Sequence, residues 1–226
     1  MLAKLLDDGI GLDYLDEECK NNSFSICTQL PALRQNRRKS QDPDSLDFFL
    51  WGGPLEAAGG VEAVRKYAGS IVLHCVSRYP IRFVLASFRD FGRQSIRLST
   101  GEGITRYEDG FAVSTALKNN FPPAVYDGFQ RSRQQSGTLD FAQISKFYIY
   151  VVVGSAVVLG AVAKSLYAAD TKFVATIFML LAGFFANALV MGTLGHPNDR
   201  YQNRVSCLIP LAAITAVYRL KAVESA

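Results

Sequence analysis

FYIYVVVGSAVVLGAVA, residues 147–163, and FVATIFMLLAGFFANALVMGTLG, residues 173–195, contain no charged side chain over 17 and 23 positions. About 20 apolar residues carry a helix across a bilayer core. The second run is therefore long enough alone, and the first becomes so with its flanks. A third run, residues 205–218, has only 14 residues and contains Pro210. It spans if Arg219 and Lys221 extend to the far interface; re-entrant and interfacial placements are the alternatives. The expected spans lie near residues 147–167, 173–195 and 205–219.

Working outward, residues 1–145 carry 17 Lys and Arg against 17 Asp and Glu. Residues 146–226 carry seven against three, so the excess of +4 borders the apolar runs. Cations are usual at headgroup depth, and this distribution argues against nucleic acid as a partner. The spacing predicts no strand, so the fold class is all-α: a helical, loop-rich part over residues 1–145, then about three membrane helices over 146–226. Residues 1–10, MLAKLLDDGI, form no signal peptide, because no apolar stretch of 7–15 residues follows the charge. Either residues 147–163 serve as an internal signal-anchor or the chain is the C-terminal portion of a longer protein. Leu2, Leu5 and Leu6 followed by Asp7-Asp8-Gly9 read as the end of a helix entering a turn, which favours the second.

Residues 1–19 read as one or two short helical turns with acids at Asp13, Asp16, Glu17 and Glu18, and residues 28–60 as loop-rich with a basic cluster, QNRRK, at 35–39. Phe48-Phe49-Leu50-Trp51 is either a plug packing that loop onto helices or an interfacial anchor. Val61, Val64, Ala68, Ile71, Val72, Cys75 and Tyr79 repeat with helical spacing, and Pro80 breaks or kinks the pattern. A second helix over residues 81–98 gathers Ile81, Val84, Leu85, Phe88, Phe91 and Ile96 on one face, bordered by Arg82, Arg89, Arg93 and Arg97. That arrangement suits a helix lying in the membrane interface and contacting a phosphorylated headgroup. An ordinary helix with a solvated basic flank is the alternative. Residues 99–124 read as a loop with a short helix. Gly101-Glu102-Gly103 lacks the third glycine and the strand of a nucleotide fingerprint.

The densest polar motif is His196-Pro197-Asn198-Asp199-Arg200-Tyr201-Gln202-Asn203-Arg204, between two membrane helices. Arg200 and Arg204, one turn apart, suit a phosphate or carboxylate, and His196 or Asp199 suits proton transfer. The same residues also make a turn and N-cap, with arginines at headgroup level. One His and one Asp complete neither a triad nor a metal site, so no catalytic residue, metal or cofactor is assigned. Within the apolar runs, Lys164 snorkels, Asn187 suits an interhelical hydrogen bond, and Gly154, Ser155, Ala156 and Gly160 suit close helix packing. Polar groups near the midplane are too few for a transport site.

Cys75 and Cys207 fall in apolar helical patterns, as buried thiols do. Cys19 and Cys27 bracket a polar turn, Lys20-Asn21-Asn22-Ser23, and form either a disulfide or two separate thiols. A disulfide needs an oxidising compartment and would place the N-terminal part outside the cytoplasm. The cations flanking the spans, five on one side and four on the other, decide no orientation.

Three segments carry a resemblance: Leu5-Leu6-Asp7-Asp8-Gly9 through Tyr14-Leu15 to Cys19 and Cys27, the Phe48-Phe49-Leu50-Trp51 cluster, and His196 to Arg204 running into Leu208-Ile209-Pro210-Leu211. In these the chain resembles the C-terminal part of an uncharacterised family of bacterial multi-pass inner-membrane proteins, similar in plan to membrane glycosyltransferases that use lipid-linked sugars. The resemblance implies a bacterial inner-membrane location and a structural or lipid-headgroup-binding role. The alternative it implies is part of an enzyme acting on a polyprenyl-phosphate-linked sugar. The lipid bilayer and a polyprenyl-phosphate or other anionic headgroup are the partners implied. The catalytic acid of such enzymes lies on an early extracytoplasmic loop that nothing here matches. His196, Asp199, Arg200 and Arg204, with Arg82, Arg89 and Arg93, are the candidate headgroup ligands.

Overall fold

The computed structural model of the chain describes residues 1–39, 48–50, 53–101, 104, 106–107 and 112–224. Among them are twelve α-helices, one 3-10 helix and no strand. They fall into two compact units, one of residues 1–89 with 193–196 and one of residues 90–192 with 197–226. The contrast in polarity at residue 145 and this division by compactness therefore fall at different places.

In the first unit, α1 (Leu2–Asp7) and α2 (Ile10–Glu18) are joined at Gly9, whose φ of 79° is left-handed. The Arg37 guanidinium fills the space a Cβ would need there. Leu5, Leu6, Ile10, Leu12 and Leu15 are fully or almost fully buried. What reads as a few helical turns is thus the centre of a core. The 3-10 helix Ser25–Gln29 leads into α3 (Leu30–Lys39), a helix where the sequence reads as loop. Leu30 and Leu33 bury one narrow face, a signal hidden by the polar residues around them. Cys19 and Cys27 form a disulfide with Cα atoms 5.6 Å apart. Phe49 is buried in the same core with Phe48 and Leu50 beside it, the plug arrangement, whereas Trp51 lies outside the described residues.

After the short α4 (Pro54–Ala57), α5 (Gly60–Arg78) places Val64, Ile71 and Cys75 in this core. His74 stays exposed, held by the Ser70 carbonyl at 2.8 Å and stacked on Tyr14. At Tyr79 the chain turns by 100° into α6 (Pro80–Ser95). Proline fits the first turn of the new helix, where its N–H has no partner to lose.

In the second unit, α7 (Ala112–Asn120) and α8 (Pro123–Gln130) precede the long apolar helices α9 (Ala142–Ala169) and α10 (Thr171–Leu194). The third apolar run is lengthened by α11 (Asp199–Ser206), which continues almost directly into α12 (Leu208–Glu224). Residues 199–222 thereby make a third helix long and apolar enough to cross a membrane, alongside α9 and α10. Pro210 does not interrupt it, because it occupies the first turn of α12, where backbone N–H groups have no intrahelical acceptor.

The three helices meet through neutral polar groups. Asn187 on α10 donates to Gln202 Oε1 at 2.9 Å and to the Tyr201 carbonyl at 3.2 Å, the interhelical bond its position predicts. Gln202, fully buried, donates onward to the Phe184 carbonyl, and the Tyr148 and Ser206 hydroxyls lie 2.6 Å apart. At the opposite end of the helices, Arg219 donates twice to Asp170 in the α9–α10 turn. The Phe173 N–H and this guanidinium hold the Asp170 carboxyl below its usual range. Contrary to the small-residue expectation, Gly154 and Gly160 mediate no close packing: a Cβ at either would meet open space. In this unit a close backbone approach falls at Gly192, where a Cβ would stand 2.7 Å from the Phe91 nitrogen.

Candidate lipid-headgroup site

The polar motif between α10 and α11 is first of all a folded joint. Asn198 is the N-cap of α11, its side chain accepting from the Arg200 N–H, as the turn-and-cap reading predicts. Gln94 on α6, completely buried, treats Asn198 as a strand would: its Nε2 donates to the Asn198 carbonyl at 3.0 Å, and its Oε1 accepts from the Asn198 N–H at 2.7 Å. Asp199 accepts from the Ser99 N–H at 3.2 Å. With the backbone contact at Gly192, these bonds fix the last turns of α6 where α10 ends and α11 begins.

Two arginines project from this joint. Arg200 donates to the Tyr201 hydroxyl at 3.1 Å, its guanidinium 5.0 Å from that ring's centre. Arg204, one turn on, is exposed. Arg200 is exposed as well.

Along α6, Ile81, Val84, Leu85 and Phe88 are between 47% and 75% exposed, and Ile96 just beyond its end is 77% exposed. That is the face on which an ordinary domain helix would bury its apolar residues. The arginines beside it reach acids instead. Arg82 pairs with Asp13 at 2.9 Å, Arg89 with Asp8 at 2.6 Å, and Arg93 lies 3.8 Å from Asp90. Each guanidinium is about half exposed, so a phosphate would meet a partly neutralised donor and not a bare charge. Arg78 and Arg34 pair likewise with Glu17 and Asp16 on α2.

His196 does not join Asp199. It belongs to the first unit, where its Nε2 stands 3.8 Å from Asp7 Oδ2, both side chains largely buried. Beside them Lys4 and Asp8, each with only 2% of its side chain exposed, pair at 3.1 Å. The other Asp8 oxygen takes the Arg89 bond, and Arg37 donates to the Asp8 carbonyl at 3.1 Å. Burial pushes the Asp7 carboxyl up to about 6, against the pull of His196; Asp8 raises it further, and Lys4 and Arg37 lower it. Lys4, Asp7 and Asp8 are the residues sequence reading passed over. The signal was present: a Lys and an Asp four apart inside an otherwise apolar run, where ionised groups persist only with partners.

Among the described residues no group of His, Cys, Asp and Glu could hold a metal ion. No family model matches the chain, and neither a curated protein nor a solved structure matches it.

Proposed function

We propose that this chain is an integral protein of a bacterial inner membrane with a structural and lipid-binding role. In this reading α6 lies in the membrane interface and the phosphate of an anionic headgroup, such as a polyprenyl phosphate, docks on Arg200 and Arg204. Of the other candidate ligands, Arg93 and Asp199 belong to the same unit as that pair, whereas Arg82, Arg89 and His196 belong to the first. The supporting observation is the exposed apolar face on a helix whose C-terminal turns are pinned to the ends of two spans, the depth at which headgroups lie.

The His196–Asp7 contact supports the same placement. Together α5 and α6 are apolar and long enough for a broken fourth span. A complete crossing there would put Asp7 and His196 on opposite faces of the membrane. With three crossings, by α9, α10 and residues 199–222, both return to one face. The Cys19–Cys27 disulfide favours the extracytoplasmic one, with the C-terminus in the cytoplasm.

Alanine at Arg200 and Arg204 together tests the headgroup reading. Membranes should hold normal amounts of the variant, while its retention of polyprenyl phosphate, measured in purified protein, should fall at least tenfold, the order of one charged hydrogen bond lost. Unchanged retention contradicts it.

A second reading, part of a glycosyltransferase-like enzyme acting on a polyprenyl-phosphate-linked sugar, draws on the Asp7–His196 pair. A carboxyl near 6 beside an imidazole is matched to proton transfer at neutral pH. Asp7→Asn would then abolish sugar transfer with the protein folded; full activity in that variant rules the reading out.

A further inference from the structure

A cavity of about 440 Å³ opens between α9, α10 and Ile209 of α12, all within the second unit. Leu159, Gly160, Ala163, Ile177, Phe178 and Phe184 are among its walls, and its lining contains no charged or strongly polar side chain. The size lies within the ~300–1,000 Å³ usual for small-molecule sites. Gly160 matters here, because glycine inside a helix costs stability relative to alanine and normally persists where two backbones approach. At Gly160 no atom stands within 4 Å of a would-be Cβ, so the missing side chain leaves space on the cavity wall.

Outside that lining, α9 carries a charge toward its turn with α10. Lys164 lies one helical turn beyond Gly160, on the neighbouring strip of the same helix face. It is exposed and forms no ion pair among the described residues. Tyr167, 63% exposed, continues that face two turns beyond Gly160 and one beyond Ala163, at the end of α9, where interfacial tyrosines gather. A slot of pure hydrocarbon lining with one cation and one tyrosine at its interfacial end is complementary to a lipid with a single negative charge on its head.

We propose that this slot is a binding site for an anionic phospholipid of the surrounding bilayer, one acyl chain lying over Gly160 and the phosphate on Lys164. It lies at the Asp170 end of the spans, the opposite end from Arg200 and Arg204, and stands independently of the headgroup reading there. The occupant is lipid and not a second copy of the chain, because the exposed Lys164 ammonium beside an apolar slot is complementary to a headgroup that is anionic above an acyl chain.

The full chain, reconstituted in nanodiscs of phosphatidylcholine with a minor share of phosphatidylglycerol, tests this by native mass spectrometry after release. The wild type should retain one phospholipid, with phosphatidylglycerol enriched about fivefold over its share, the effect of one cation near an anionic headgroup. Lys164→Gln should keep the retained lipid and lose the enrichment. Gly160→Leu, which fills the slot and suits a membrane helix, should lose retention of both lipids. Ala163→Leu, from a different wall position, should do the same, so that a folding defect in one variant leaves the other to decide. Retention of the two lipids in their bulk proportions by the wild type overturns the proposal. So does undiminished retention in the two filled variants, or a second protein copy in place of the lipid.

Discussion

The two units solve the same problem, burying polar groups, with different balances of chemistry. Under α1 the first unit buries ions: Lys4 and Asp8 paired with each other, Arg89 closing the carboxylate, and Asp7 set against His196. The second buries mostly neutral amides and hydroxyls, with Asp90 as a buried carboxylate near Arg93: Gln94 against Asn198, Gln202 between Asn187 and Phe184, Gln135 against Tyr107 at 2.8 and 3.0 Å, and Tyr148 against Ser206. A charge at bilayer depth costs several kcal/mol, whereas an amide that satisfies backbone groups on a neighbouring helix is tolerated. The difference teaches where lipid surrounds the chain. The three long apolar helices meet through Asn187, Gln202, Tyr148 and Ser206, and buried ions appear where counter-charges are at hand.

The sharpest way to break this comparison is to leave the buried lysine without its counter-charge. Asp8→Leu should destabilise the first unit by about 3–5 kcal/mol, the cost of an uncompensated buried charge. Lys4→Met combined with Asp8→Leu should recover most of it. Thermal unfolding in detergent, followed by protease sensitivity near α1 and α2, reads both. Equal stability of the wild type and Asp8→Leu would mean that the pair is not buried in the folded protein.

The Asp7 carboxyl gives the next largest effect. Its pKa is raised from 3.8 to about 6 on folding, so the folded state binds this proton more tightly than the unfolded chain. The corresponding stability is fully present below pH about 4 and is lost as the pH rises through about 6, by up to about 3 kcal/mol at 1.36 kcal/mol per unit. Asp170, held low by the Phe173 N–H and Arg219, acts with the opposite sign. The quantity to measure is therefore the difference between wild type and Asp7→Asn, which should grow in favour of the variant between about pH 4 and 7. A pH-independent difference removes Asp7 from the buried set.

Smaller, but directed at the second unit, is Gln202→Leu. It leaves Asn187 and the Phe184 carbonyl short of a partner and should cost about 1–2 kcal/mol. Gln202→Glu should cost more, because it replaces an amide by a charge in the region where amides are the rule. If the glutamate variant is as stable as the wild type, lipid does not surround these helices.

Much of this contrast is legible in the residues. The charge-free runs define α9 and α10, and the spacing from Val64 to Cys75 defines the buried face of α5. Pro197-Asn198-Asp199 announces the cap of α11, and the cysteine spacing allows the bond that forms. Three things are not legible, each for a physical reason. The helix at Leu30–Lys39 buries only a narrow two-leucine face, too short a period to stand out from its polar neighbours. The length of the third span depends on α11, whose cap is legible but whose polar side chains join the apolar run only when Gln202 and Ser206 find partners on α10 and α9. Gly154 and Gly160 look like packing glycines, but spacing does not say whether a neighbouring backbone comes close. At the candidate site, Arg200, Arg204 and the α6 arginines are visible as a pattern. The pairing of His196 with Asp7, 189 positions earlier in the chain, is set by tertiary structure alone.

The claim on which the rest depends is that α6 lies in the membrane interface with Ile81, Leu85 and Phe88 in the acyl boundary. A single tryptophan placed at Phe88, with the native Trp51 replaced by phenylalanine, measures it in vesicles whose lipids carry bromine at defined acyl depths. Quenching strongest for bromine just below the headgroups, with a blue-shifted emission, is the predicted result. Emission typical of water and no quenching at any depth would contradict it, and quenching greatest at the bilayer centre would make α5 and α6 a fourth crossing instead.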